Sequence, residues 1–144
     1  MPIWKQSTGL AAINASGDGC MVEHLGIRVT EVGDDWLRGA MPVDARTTQP
    51  FGLLHGGASV ALAETLGSLA GNLCLGEAEM AVGLEINANH VRAVTAGEVT
   101  GTARALHVGR TTQLWEIRIE DAQARLVCVS RLTLAVIALP EGKQ

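Results

Sequence analysis

The chain has 144 residues, enough for one domain with a single core that needs no disulfide or metal staple. Eleven basic against 15 acidic side chains leave a net charge of −4, with no run of Lys or Arg, which excludes a general nucleic-acid footprint. Apolar residues make up 47%, yet there are only three Trp, one Phe and no Tyr, so Ala, Val, Leu and Ile must supply the core.

Cys20, Cys74 and Cys128 are odd in number, far apart and without a CxxC pair. They fit neither a disulfide framework nor a zinc site, and are expected to be small buried residues in a reducing cytoplasm. No metal or cofactor is expected. The N-terminus lacks the apolar core of a signal peptide. The stretch from Gly56 to Leu75 is long enough to cross a bilayer, but Glu64 interrupts it, Gly, Ala and Ser dilute it, and no basic residues flank it. A membrane span is therefore rejected.

In chain order, Ser7 to Ala15 is expected to form a short helix, stopped by Gly17-Asp18-Gly19, and Cys20 to Leu25 a second turn. Ile27, Val29 and Glu31 then alternate with Arg28, Thr30 and Val32. Gly33-Asp34-Asp35 turns the chain into a second strand, Trp36 to Val43. Asp44 to Gly52 is a polar loop. Ala58, Ala61, Leu62, Thr65, Leu66, Leu69 and Leu73 give one long helix, Gly57 to Leu75, whose lack of a charged face predicts burial nearly all round. Strands follow over Met80–Val91, Glu98–His107, Thr111–Glu120 and Leu126–Ile137, joined by short turns, with a frayed tail over Pro140–Gln144. The economical packing is α+β: one curved antiparallel sheet wrapped round a central helix, a single domain over residues 1–144.

Within that helix Glu64 is the one acidic or basic side chain. Burying a carboxylate is costly unless it is paired or hydrogen-bonded. No Lys or Arg lies at i±3 or i±4, and Ser68 at i+4 is the nearest donor. The plain alternative is a helix face that meets solvent at one spot. The functional reading is a carboxylate in a cleft, serving as base or nucleophile. The helix entry, Gln49-Pro50-Phe51-Gly52-Leu53-Leu54-His55-Gly56-Gly57, bares main-chain N–H groups where the helix dipole favours negative charge. That suits an oxyanion forming on a thioester carbonyl. Gly56 and Glu64 are eight residues apart, about 12 Å along one helix, so both can reach one carbonyl only across two subunits. The monomer is accordingly expected to be inactive.

The segments Gln49–Ser59, Ala63–Ser68 and Val82–Arg92 together resemble the bacterial hotdog-fold thioesterases, along nearly the whole chain. The resemblance is to their aryl- and acyl-CoA branch, which holds the Arthrobacter-type 4-hydroxybenzoyl-CoA and the 1,4-dihydroxy-2-naphthoyl-CoA thioesterases. It implies a cytoplasmic thioester hydrolase with Glu64 as nucleophile or general base. Gly56 N–H would polarise the carbonyl, Gln49 orient thioester or water, Ser68 position water, and His55 lie in the site. It further implies CoA along the outer sheet, contacted by His90 and Arg92 and by Arg110 with Thr111, and Phe51 lining the acyl pocket. The protein would be a homodimer at minimum and, as is common in this branch, a homotetramer.

Two alternatives stand beside CoA hydrolysis. A thioesterase acting on an acyl or aryl carrier protein would share the chemistry and differ in the partner. A non-catalytic acyl-CoA sensor would carry an added DNA-binding domain, for which this length leaves no room. A hydratase of the same fold would need an Asp and His pair on the helix entry, which is absent.

Overall fold

The computed structural model describes residues 1–140. Two short helices, α1 (Leu10–Ala15) and α2 (Met21–His24), precede a hairpin of β1 (Arg28–Val32) and β2 (Trp36–Pro42). The 18-residue helix α3 (Gly56–Leu73) follows. Then come β3 (Glu79–His90), β4 (Glu98–Val108), β5 (Thr112–Glu120) and β6 (Leu126–Ala138). Each expected element is present, with small shifts at its ends. The first helix starts late because Gly9 at its N-cap offers no side chain to hold the first turn. The long helix starts one residue early because His55 does cap it. Of the tail expected to fray, only Pro140 falls within the described residues.

The sheet runs in the order β1-β2-β4-β5-β6-β3, with every neighbour antiparallel. Short turns join β1 to β2, β4 to β5 and β5 to β6, as expected. β3 is the exception: it pairs with β6 at the far edge instead of with β4. The cause lies at the end of α3. There the Asn72 amide takes both main-chain groups of Ala81, at 2.9 and 3.2 Å, and ties the departing chain to that edge.

α3 lies on the sheet through its small and aliphatic face, with Leu62, Ala63, Leu66 and Ala70 fully buried. Gly39 of β2 and Gly101 of β4 are register partners. A Cβ on either would come within 2.6 or 2.8 Å of the Leu66 methyl groups, so these two glycines let the helix settle onto the sheet. The opposite face is not buried all round. Ala61, Glu64, Thr65 and Ser68 are half-buried beneath α1 and α2, and a cavity remains there. Among the described residues no helix is long and apolar enough to cross a membrane.

The far end of α3 is held by a buried polar chain. Gln113, with no exposure, donates to the Gly71 carbonyl at 3.2 Å and accepts from Trp115 Nε1 at 2.9 Å. Trp4 stacks on Trp115 with ring centroids 6.3 Å apart. Gln113→Ala strands the buried Trp115 Nε1 donor, while the Gly71 carbonyl keeps the Cys74 N–H at 3.2 Å, so urea unfolding is expected to show a loss of about 1–3 kcal/mol.

Cys74 and Cys128 are buried as expected, whereas Cys20 is exposed, because α2 follows a glycine turn at the surface. Burial pushes the Cys74 thiol up to about 11 and raises that of Cys128 as well. Thiols so disposed do not ionise near neutrality. A thiol-reactive dye at about pH 8 is expected to label Cys20 alone in the native protein and all three cysteines in denaturant.

Candidate active site

The first turn of α3 settles its own amides, with one exception. Gly57 N–H donates to His55 Nδ1 at 2.8 Å, and the N–H groups of Ala58 and Ser59 reach the His55 carbonyl at 3.0 and 3.2 Å. Gly56 N–H has no partner among the described residues. It lies at a cavity of about 450 Å³ lined also by Gln49, Ser59, His90 and Arg92. This is the donor that the glycine pair foreshadowed, at the positive end of the helix.

The side chains round Gly56 are set as donors. Because His55 Nδ1 accepts from Gly57, Nε2 is the ring nitrogen left free to donate. Gln49 Oε1 is occupied by the N–H groups of Phe51 and Leu53, at 2.5 and 3.4 Å, which leaves its Nε2 hydrogens for another acceptor. His90 packs onto the helix start: a Cβ on Gly56 would stand 3.0 Å from His90 Nε2. His90 is exposed at the end of β3 and shares this cavity with Arg92, its expected neighbour among the CoA contacts. The close fit of this ring against a residue without a side chain puts it beside the Gly56 amide.

Glu64 sits eight residues along α3, half-buried, on a different cavity of about 400 Å³. It carries no hydrogen bond or ion pair among the described residues. Ser68 lines the same cavity but donates nothing to Glu64; its carbonyl accepts from Asn72 at 2.8 Å. The expected Ser68 contact is thus absent, and both groups are open to a ligand or water. The carboxylate rests against Gly83 of β3. The rest of this cavity is mostly apolar, roofed by Ile13 and Val22 of α1 and α2 and walled by Ile27 and Val29.

The other expected contacts lie apart from one another within the chain. Phe51 is 87% exposed and lines neither cavity of its own protomer, because it stands at the tip of the Gln49–Leu53 turn. Arg92 lies on the Gly56 cavity. Arg110 and Thr111 lie at the opposite end of the sheet. His90 pairs with Cys128 of β6 and Thr112 with Ala135, a separation of about 23 Å at ~3.3 Å per residue. The four expected CoA contacts do not converge within one chain.

The sequence reading missed the roof formed by α1 and α2, and the glycine against Glu64. Asn14 fixes that roof, accepting from Val29 N–H at 2.7 Å and donating to Val29 carbonyl at 3.0 Å. A short helix with Ile13 on one face has to bury it somewhere, which was the available signal. For Gly83 the signal was a glycine inside a strand pattern.

Comparison with known proteins agrees with this geometry. The family model described as the thioesterase superfamily matches residues 51–128. A proofreading thioesterase, EntH, of Cronobacter sakazakii is 57% identical over 135 residues, covering 94% of this chain and 98% of its own. The 1,4-dihydroxy-2-naphthoyl-CoA hydrolase of Escherichia coli is 56% identical over 135 residues, covering 94% and 99%. The crystal structure of a thioesterase from Haemophilus influenzae superposes with a TM-score of 0.94 at 52% identity, covering 99% of each chain. A helix start with one open amide, a lone carboxylate on the same helix and these relatives together carry the conclusion that the chain belongs to the thioesterase superfamily, as a thioester hydrolase of the hotdog fold.

Proposed function

We propose that the protein hydrolyses acyl- or aryl-CoA thioesters at a site shared by two protomers. The observation that carries this is the separation of the two halves of the chemistry. The unpartnered Gly56 amide and the unpartnered Glu64 carboxylate occupy different cavities of one chain, held apart by a rigid helix.

The two sheet edges support one way for them to meet. The β1 edge is short, bulged between Val29 and Glu31, and plugged by Asn14. The β3 edge is twelve residues long and largely exposed, a form that invites pairing with another strand. Antiparallel pairing of β3 with its own copy, about a twofold axis between Gly83 and His90, sets the His90–Gly56 end of one protomer against the Gly83–Glu64 end of the other. The same axis brings Arg110 and Thr111 of one protomer toward the end of the sheet that holds Arg92 in its partner. The exposed side chains of Phe51, Leu84 and Val91 are candidates for cover in such an assembly.

In this arrangement the thioester oxygen accepts from Gly56 N–H and Gln49 Nε2. The Glu64 carboxylate of the partner faces the carbonyl carbon. It either attacks to form an anhydride that water then cleaves, or takes a proton from the water that attacks. Either way the C–S bond breaks, the CoA sulfur leaves with a proton, and a free acid is released. Ser68, one turn beyond Glu64, is suited to hold the water. The acyl group would enter the apolar cavity beneath α1 and α2. The reading needs no cofactor beyond the CoA of the substrate, and its free thiols suit the cytoplasm.

A second reading, hydrolysis of carrier-protein thioesters, is favoured by the relatives' names, which divide between a CoA hydrolase and a proofreading thioesterase. The ratio of kcat/KM for the same acyl group on CoA and on a carrier protein decides between them.

Glu64→Gln is expected to lower kcat on CoA thioesters by about 100- to 10,000-fold while light scattering still gives an even number of protomers; unchanged turnover would remove the assignment. Mixing inactive Glu64→Ala and Gln49→Ala chains under subunit exchange tests the shared site. Each mixed dimer has one intact site, so about a quarter of wild-type activity returns. No recovery would mean that both residues act from one chain.

A further inference from the structure

Glu64 is the chemically decisive side chain of the site, yet nothing bonds to it. A carboxylate on three rotatable bonds, without hydrogen bond or ion pair, should sample several rotamers. Something other than a polar partner must restrict it.

The restriction comes from β3. A Cβ built on Gly83 would collide with Glu64 Oε2 and stand 3.5 Å from Glu64 Cδ; its next neighbour, Leu132 Cδ1, is 4.0 Å away. The carboxylate thus occupies the space that any other residue at position 83 would fill with its side chain. Gly83 does not owe its identity to backbone conformation, since its φ is not among the positive values of the chain. It does not owe it to core packing either, since it is exposed at the sheet edge. The strand also bulges between Gly83 and Glu85, which locally breaks the ladder where the carboxylate arrives.

We infer that Gly83 is a positioning residue for the hydrolysis: its bare Cα forms a notch in the edge strand that holds the Glu64 carboxylate at the attacking position. This rests on the assignment of Glu64 made above. The notch acts by shape, and it lies at the edge where the partner protomer would arrive. Carboxylate and thioester would therefore be aligned by one strand.

The test is Gly83→Ala. The added methyl displaces the flexible end of Glu64, while alanine suits a strand at least as well as glycine. The expected result is a fall in kcat of about 100-fold, the cost of shifting a reacting group by about 1 Å. KM stays within about threefold, because the cavity that takes the acyl group is untouched. Tm stays within about 3 °C or rises, and the oligomer size does not change. A structural role alone would move Tm or size and spare the kcat-to-KM split.

A second substitution isolates the contact. Glu64→Asp shortens the side chain by one methylene and withdraws it from the notch. In that background Gly83→Ala is expected to change the single-turnover rate less than about threefold. The inference is overturned if Gly83→Ala leaves kcat intact, if it lowers kcat only together with Tm or oligomer size, or if its penalty is the same in both backgrounds. These outcomes are separate from failure of the underlying assignment, which would show as a Glu64→Gln enzyme that still turns over.

Discussion

The closeness of α3 to the sheet is the constraint on which the rest depends. Leu66 can sink between β2 and β4 only because Gly39 and Gly101, directly paired, leave its methyl groups room. With ordinary side chains there, the helix would ride higher. The Glu64 carboxylate would then miss the edge strand, and the His90 ring would no longer bear on the helix start. Packing density, which is a matter of stability in most domains, here also sets the position of the two groups on which the proposed chemistry rests.

That constraint also keeps the Gly56 amide and the Glu64 carboxylate on separate cavities of one protomer. A straight helix fixed along its length cannot fold its own start onto its own middle. The helix-start end offers donors: the Gly56 amide, the Gln49 amide hydrogens and Nε2 of His55. The other end offers the two oxygens of Glu64 as acceptors, with the Ser68 hydroxyl on the same cavity. Keeping them on separate cavities prevents the carboxylate from satisfying the Gly56 amide itself, which would silence both. Each group stays unpaired among the described residues, and in the proposed shared site a substrate bridges them.

The sequence disclosed much of this because the relevant signals were local. A single carboxylate in a run of Ala, Gly, Ser and Leu, and a glycine pair after His55, are visible without any fold. Strand alternation placed the four long strands to within a residue of their ends. What escaped was non-local. The crossing of β3 to the far edge depends on the Asn72 clamp on Ala81, which no period announces. His90 could not be assigned to the helix start from a strand position alone, because the strand's path was not known. Ser68 at i+4 from Glu64 satisfied the spacing for a hydrogen bond, yet spacing does not fix a hydroxyl rotamer.

The amide of Asn14 on Val29 has a consequence for assembly as a whole. A sheet with two bare edges adds copies at both ends and grows without limit, as a fibre does. Here the N-terminal helix spends one side chain on sealing the β1 side, so only β3 remains adhesive. In the proposed twofold pairing that remaining edge is used up by the same edge of the second copy. Polymerisation along the strands has nowhere to continue. The same Asn14 that holds the roof of the Glu64 cavity thereby closes the β1 edge to a further strand.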